Sequence, residues 1–349
     1  QPKRAFKRHN SGSIQRGTMK SEKQEGDVIQ RVRNCLRAKH RKWATEQQYV
    51  RWIKDYLGYS KAKGSMPSKE EAVRRFLDHL ALDRNYSYST QKQALCALVF
   101  LYEQVFEQEL GDIGDFAPAT KQENVGTVYS ATEATAILSH LYGVDWLGVG
   151  LMYGSGLRRG AVVRLRVMDL DFEMGKIAVR DSKGNKQHTT LFPDMLQERL
   201  QKHLESVREL HRQDLARGYG EVFLPHALER KYPNANTEWC WQYVFPAGKV
   251  SRDPRTGKVR RHHRHDATLQ RAVTEAVAAA GVPKPARCHA FRHAFATDLA
   301  LRGYDMKTIQ KLLGHRDLRT TERYIHQLTE IRGVKSPLDF HMGDGAQGG

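Results

Sequence analysis

CHAFRHAFATDLALRG, Cys288–Gly303, is the stretch from which the chain can be read outward. It reads as a helix closed by Gly303, carrying His289 and Arg292 three residues apart and so on one face. A second glycine follows in Leu312-Leu313-Gly314-His315, which places His315 at a helix start. Nine residues after His315 comes Tyr324, in TTERYIHQL. Two histidines, an arginine and a tyrosine thus fall on what read as three consecutive helices, within a helical stretch from Asp266 to Gln327 that is broken at Gly281-Val282-Pro283, Gly303 and Gly314.

That set points to chemistry on a phosphodiester. Cutting such a bond without a metal takes a nucleophile, cations for the nonbridging oxygens, a base and an acid for the leaving 5′-oxygen. The Tyr324 phenol suits attack on phosphorus, because its ester can be reversed by an incoming 5′-hydroxyl. Arginine suits charge neutralisation, since its planar fork meets phosphate with two hydrogen bonds. Histidine exchanges protons near neutral pH. A second arginine is required from elsewhere, and Arg158, after Gly156-Leu157 at a helix start, can supply it. Lys183, between Ser182 and Gly184 at a turn, is the candidate acid. His293 reads as a packing residue.

The bulk numbers agree with a polyanionic partner. The 349 residues carry a formal net charge of +18, with a pI near 9.8. No apolar run reaches the roughly 20 residues that span a bilayer, and no apolar segment of the signal-peptide kind follows the basic start. Cys35, Cys96, Cys240 and Cys288 are scattered without C-x-x-C pairing, which fits reduced thiols in a cytosol.

Towards the N-terminus, residues 1–26 are polar and read as a basic disordered arm, and residues 1–42 hold thirteen Lys or Arg against three acids. From Val28 the apolar spacing turns helical. Stripes at Val28, Val32, Cys35, Leu36 and at Tyr49, Trp52, Ile53, Tyr56 are followed by helices opening at Ser68 and at Ser89-Thr90. The organisation expected is a four-helix domain over 27–112, a linker over 113–130, a larger domain over 131–330 opened by a Ser130/Glu133 capping box, and a tail over 331–349. Within the larger domain the period changes to two. Leu170, Phe172, Ile177 and Val179 about a Met174-Gly175 turn predict a hairpin, and a third strand ends at Phe192-Pro193. A long amphipathic helix follows from Asp194 to Ala216, with a core stripe at Leu196, Leu200, Leu204 and Val207. The fold class is mainly α with a small antiparallel sheet.

These motifs carry a resemblance. YGSGLR, the KGNK turn at 183–186, HAFRHAFAT, LLGH and the tyrosine nine residues on resemble the tyrosine recombinase, or phage integrase, family over about 200 residues. The four-helix domain is similar to that family's SAM-like core-binding domain. The resemblance implies a two-domain C-shaped clamp on DNA. It implies Tyr324 as nucleophile, Arg158, Arg292 and His315 as phosphate ligands, Lys183 as general acid and His289 as proton-transfer and phosphate ligand. It further implies no cofactor or metal, a homotetramer on DNA with no membrane, and a bacterial cytoplasmic setting at the nucleoid.

The segment 218–265 resembles the insertion of integron integrases, as does the Lys335-Ser336-Pro337-Leu338-Asp339 end. For that subfamily the implied substrates are folded single-stranded cassette sites with unpaired bases, recombined with a double-stranded attachment site. Trp239, Trp241, Tyr243 and Phe245 alternate, so a strand would line them on one face, either as a stacking platform for bases or against the core. Lys249 to Arg264 holds seven Lys or Arg against one Asp. Trp239, Trp241, Arg260, Arg261, His262 and His263 are the candidate DNA contacts. The spacing of His262, His263, His265 and Asp266 matches no standard metal site.

Two features depart from the family pattern. Three residues after Arg158, where the family has an acid, stands Ala161, and the linker Ala117–Ser130 has only Lys121 against Glu123. The other readings are therefore a duplex-specific phage or Xer-type recombinase, and a catalytically weakened DNA-binding descendant. A type IB topoisomerase shares the chemistry but not the insertion.

Overall fold

The computed structural model describes the backbone of residues 12–64, 66–119, 127–180, 187–224 and 226–315, and their side chains apart from 12–24 and 226–227. The chain divides into two compact units, Gln1–Asn124 and Val125–Gly349.

The first unit is helical: α1 Gly12–Ala38, α2 Trp43–Lys63, α3 Lys69–Leu82 and α4 Tyr88–Phe100, which runs on into a single π turn Leu101–Val105. Helix α1 starts inside the stretch expected to be a disordered arm. Its Gln, Arg, Lys, Met and Glu residues are good helix formers, so a helix packed from Val28 onward extends backwards at little cost. The expected stripes meet in one core in which Val32, Leu36, Ile53, Phe76, Leu77, Leu80, Leu98 and Leu101 are fully buried. Ser68 accepts a hydrogen bond from the Glu71 amide at 3.1 Å and caps α3. Two polar pairs are enclosed with the apolar residues: the Tyr56 and Tyr102 hydroxyls lie 2.7 Å apart, and buried Glu46 is held by Arg37 at 2.9 Å.

The second unit opens with α5 Ala131–Ser139, whose Ser130/Glu133 capping box forms as the spacing predicts. Then come α6 Gly143–Gly154 and the short α7 Arg159–Val163. Strands β1 Leu170–Asp171, β2 Lys176–Arg180 and β3 Gln187–Leu191 form an antiparallel sheet in that order, with Leu170 opposite Ile177 and Val179 opposite His188. The long helix α8 spans Asp194–Ala216 and buries the four stripe residues. After α9 His226–Lys231 and the two-residue strands β4 Ser251–Arg252 and β5 Val259–Arg260 come α10 Asp266–Ala279, α11 Cys288–Leu301 and α12 Met306–Leu313. Helix α11 runs through the middle of the unit, with Ala290, Phe291 and Ala294 in the main core.

The segment 218–265 folds as a satellite on this unit. Val222, Leu224, Ala235, Trp241 and Tyr243 form its own small core. The aromatic run is not the one-faced strand that its alternation predicts: Trp239–Trp241 is a 3-10 turn, and Trp241, Tyr243, Val244 and Phe245 are all buried. The reason is that the run lies between two cores. Trp241 and Tyr243 enter the satellite core, while Val244 and Phe245 enter the main one. Backbone bonds from Val244 N to Leu165 O (2.8 Å) and from Val167 N to Gln242 O (3.0 Å) attach the run to the segment before β1.

Candidate active site

Four of the six expected catalytic residues are described, and they come from three places in the second unit. The Gly154-Ser155-Gly156 turn after α6 delivers Arg158 as the residue that caps α7. Gly156 has φ +65, and a methyl group there would lie 2.6 Å from Phe295 and 3.0 Å from Leu313. Only glycine fits this backbone without strain, and the turn tucks under α11 and α12 as a result.

Helix α11 supplies His289 and Arg292. Arg292 is 3% exposed, and three of its five N–H groups make these bonds: Nη1 to Gly156 O (2.5 Å), Nη2 to Leu313 O (2.6 Å) and Nη2 to His315 Nε2 (2.9 Å). It therefore joins the arginine-bearing turn, its own helix and the end of α12. His289 lies exposed at the start of α11, its ring 4.4 Å from that of buried His293 in an edge-on arrangement. His293 is the packing residue its position implies.

Helix α12 ends at Gly314 in the left-handed conformation, φ 62 and ψ 35. Its amide bonds to Lys311 O at 3.1 Å, and the next amide, of His315, bonds to Gln310 O at 3.2 Å. This paired closure is a Schellman cap, and it turns His315 back toward Arg292. His315 thus leaves the end of one helix. Lys183 and Tyr324 lie outside the described residues, as does whatever follows His315.

The electrostatics are one-sided. Desolvation of the ring by surrounding protein comes first in holding the three histidines below their ordinary value, less completely at His289, whose surface stays open to solvent, and nearby cations add to it. His289 is lowered to about 4, with Arg292 and Arg158 contributing. His315 is lowered to about 3 by burial and then by Arg292, Arg158, His289 and His188. His293 is lowered to about 3 by burial, His289, Arg292 and His315. Among the described residues, the charged groups that enter these three balances are arginines and histidines. Ala161, where an acid was expected on family grounds, is instead packed against the main core.

His188, on β3, was not singled out in the sequence. Its ring lies against Gly314, and a lone histidine in a strand gives no sequence signal of that contact.

The residues expected to touch DNA from the insertion are mostly engaged within the protein. Trp241 and Arg260 are buried. Arg260 pairs with Asp253 at 2.7 Å and Arg261 with Asp214 at 2.5 Å. Trp239 is half-buried under Arg208, and His262 lies 3.8 Å from Asp253. His263 packs edge-on to Tyr243 at 5.3 Å. Arg166, unremarked in the sequence, is the anchor of the insertion. It is buried between Trp241 and Tyr243 (5.7 and 4.7 Å to the ring centres) and donates to Trp241 O and to Phe223 O, the latter at 2.8 Å. Among the described residues, no group of three or more His, Cys, Asp and Glu is placed to hold a metal ion.

A four-helix unit, followed by a helical unit that gathers two arginines and two histidines beside a small β-sheet, defines a site-specific tyrosine recombinase. Known proteins agree. The profile of the Phage integrase family matches residues 120–330, and that of the Phage integrase N-terminal SAM-like domain matches residues 28–112. The chain belongs to the phage integrase family. It is 41% identical to an integrase/recombinase of Escherichia coli over 313 residues, covering 89% of this chain and 93% of that protein. It is 25% identical to tyrosine recombinase XerA of Thermococcus kodakarensis, over 85% of this chain and 90% of the other. Similar folds are those of XerH recombinase bound to difH (TM-score 0.55, 18% identity, 89% of this chain and 82% of that one) and of a lambda integrase dimer on a COC′ core site (0.56, 16%, 86% and 94%). Among the described residues, no helix is long and apolar enough to cross a membrane.

Proposed function

We propose that the protein cuts and rejoins DNA through a 3′-phosphotyrosyl bond to Tyr324. The observation that carries this reading is the convergence of Arg158, Arg292, His289 and His315, with Arg292 bonded to His315 and both histidines held below their ordinary value beside the two arginines. The Tyr324 oxygen attacks phosphorus in line, the bond to the 5′-oxygen breaks, and Lys183 gives that oxygen a proton. Arg158 and Arg292 hold the nonbridging oxygens, and His289 and His315 donate to them or accept the phenol proton. Attack by a second strand's 5′-hydroxyl reverses the step, so no bond energy is lost. Exchange between two duplexes breaks four strands, one tyrosine for each, which calls for a homotetramer on DNA. The net charge of +18 favours DNA as the polyanion.

For the substrate we propose the integron type, a folded single-stranded cassette site joined to a double-stranded site. What supports it is an insertion with its own core and an exposed basic hairpin bearing Lys249, Arg252, Arg255 and Lys258. The second reading is a duplex-specific Xer-type recombinase. It is favoured by the burial of Trp241, Tyr243 and Phe245, which leaves fewer aromatic faces for unpaired bases.

Covalent capture tests both readings. Randomised pools of nicked duplexes and of folded hairpins are incubated with the protein, and DNA attached to it is recovered and sequenced. An adduct that disappears in Tyr324→Phe is expected. An adduct that persists in that variant, or none from either pool, refutes the mechanism. Enrichment from the hairpin pool supports the integron reading, and enrichment from the duplex pool alone supports the other.

A further inference from the structure

We infer that His188 is a positioning residue of the phosphate site, resting on the reading of that site given above. Strand β3 begins at Gln187, and the buried face of the sheet holds Ile177, Val179 and Thr190. In the register, Val179 faces His188 and Ile177 faces Thr190, so His188 projects from that same face. There its ring meets the end of α12. A methyl group on Gly314 would sit 2.5 Å from His188 Cε1, so the ring rests directly on the glycine backbone. Gly314 is the residue whose left-handed turn sends His315 to Arg292.

Thr190, two residues on and on the same face, anchors the strand to a second segment. Its hydroxyl donates to Ser155 O at 2.8 Å, inside the turn that delivers Arg158. Strand β3 is therefore fastened at two points, to the turn before Arg158 and to the residue before His315. A strand held this way fixes the Arg158 turn and the His315 end relative to one another. His188 acts through contact with Gly314, and removing its ring frees the His315 end and lets water in behind it. The charged and titratable groups around His315 among the described residues are Arg292, Arg158, His289, His293 and His188.

The test uses the full chain and a nicked substrate recovered by covalent capture with the wild-type protein. In His188→Ala and His188→Gln, single-turnover cleavage is expected to fall about tenfold, with DNA affinity and thermal midpoint close to wild type. Gly314→Ala, which pushes a methyl into the ring, is expected to fall further. The double variant His188→Ala/Gly314→Ala is expected to be no worse than Gly314→Ala alone, because the clash is gone. In histidine-labelled protein, the NMR titration of His315 is expected to move up toward the ordinary histidine value when His188 is replaced. Wild-type cleavage rates in both His188 variants, fully additive losses in the double variant, or an unmoved His315 titration would each overturn the assignment while leaving the Tyr324 mechanism standing. Failure of the wild-type protein to form an adduct, or persistence of the adduct in Tyr324→Phe, overturns both.

Discussion

Arg292 Nη2 donates to His315 Nε2 across 2.9 Å, joining the middle of α11 to the residue that follows α12. A guanidinium has no lone pair to offer, so the bond requires His315 to be neutral with its proton on Nδ1. The depressed basicity of His315 is the same fact seen electrostatically. The site is thus set up around a neutral histidine and a buried cation.

Replacing Arg292 is expected to damage folding and chemistry together. Arg292→Lys keeps the charge but cannot reach Gly156 O, Leu313 O and His315 at once. Adduct formation is expected to drop at least about a hundredfold, in line with losing a preorganised transition-state donor. Single-turnover cleavage alongside thermal melting measures the two losses separately.

The three depressed histidines give the protein an acid weakness. The unfolded chain takes up each proton near pH 6.5, while the folded site resists protonation down to about 4 at His289 and about 3 at His293 and His315. Their contribution is therefore intact above pH 6.5 and is lost as pH falls from 6.5 toward those values. The melting temperature is expected to fall by about 3–6 °C between pH 7 and 5. Sulfate, whose charge is constant over this range, is expected to restore more of it at pH 5 than at pH 7, because a bound anion raises the histidines. Equal restoration at both values would show that the anion does not sit at this site.

Gly156→Ala is expected to cost about 2–4 kcal/mol, combining left-handed strain with overpacking against Phe295 and Leu313. The shift also moves the carbonyl that Arg292 holds, so cleavage is expected to fall more than stability predicts. Chemical denaturation and adduct formation on one preparation make the comparison.

Restoring an acid by Ala161→Glu places a carboxylate one turn from Arg158 on α7. Cleavage is expected to rise several-fold if the missing acid weakens the site. An unchanged rate in adduct assays removes the reason to regard this chain as a weakened recombinase.

Arg166→Ala takes away the cation between Trp241 and Tyr243 and two buried hydrogen bonds to Trp241 O and Phe223 O. Proteolysis within 218–265 is expected to accelerate at least about tenfold, as local opening becomes easier. Cleavage of duplex substrate is expected to persist, since Arg166 does not contact the phosphate ligands. Loss of hairpin cleavage alone would tie the insertion to folded substrates.

Much of this architecture was legible in the chain because it follows local rules. The hairpin about Met174-Gly175, the Ser130/Glu133 capping box and the helix Asp194–Ala216 each depend on neighbours a few residues away, and each forms where its spacing predicts. The aromatic run at 239–245 was not legible in this way. Alternation predicts a strand with one wet face, but whether both faces are covered depends on Leu165 and Val222, far away in sequence.

The sequence by itself determined the family, because the ordered motifs around His289, Arg292, His315 and Tyr324 are local strings that can be read without the fold. It also determined where helices stop, because Gly156 and Gly314 occupy backbone conformations that other residues resist. Only the tertiary structure decided that Arg292 spends its fork on Gly156, Leu313 and His315, that Arg166 locks the insertion, and that His188 rests on Gly314. Each of those contacts joins segments separated by tens to more than a hundred residues, and burial, which no local pattern encodes, comes first in setting the protonation of His293 and His315.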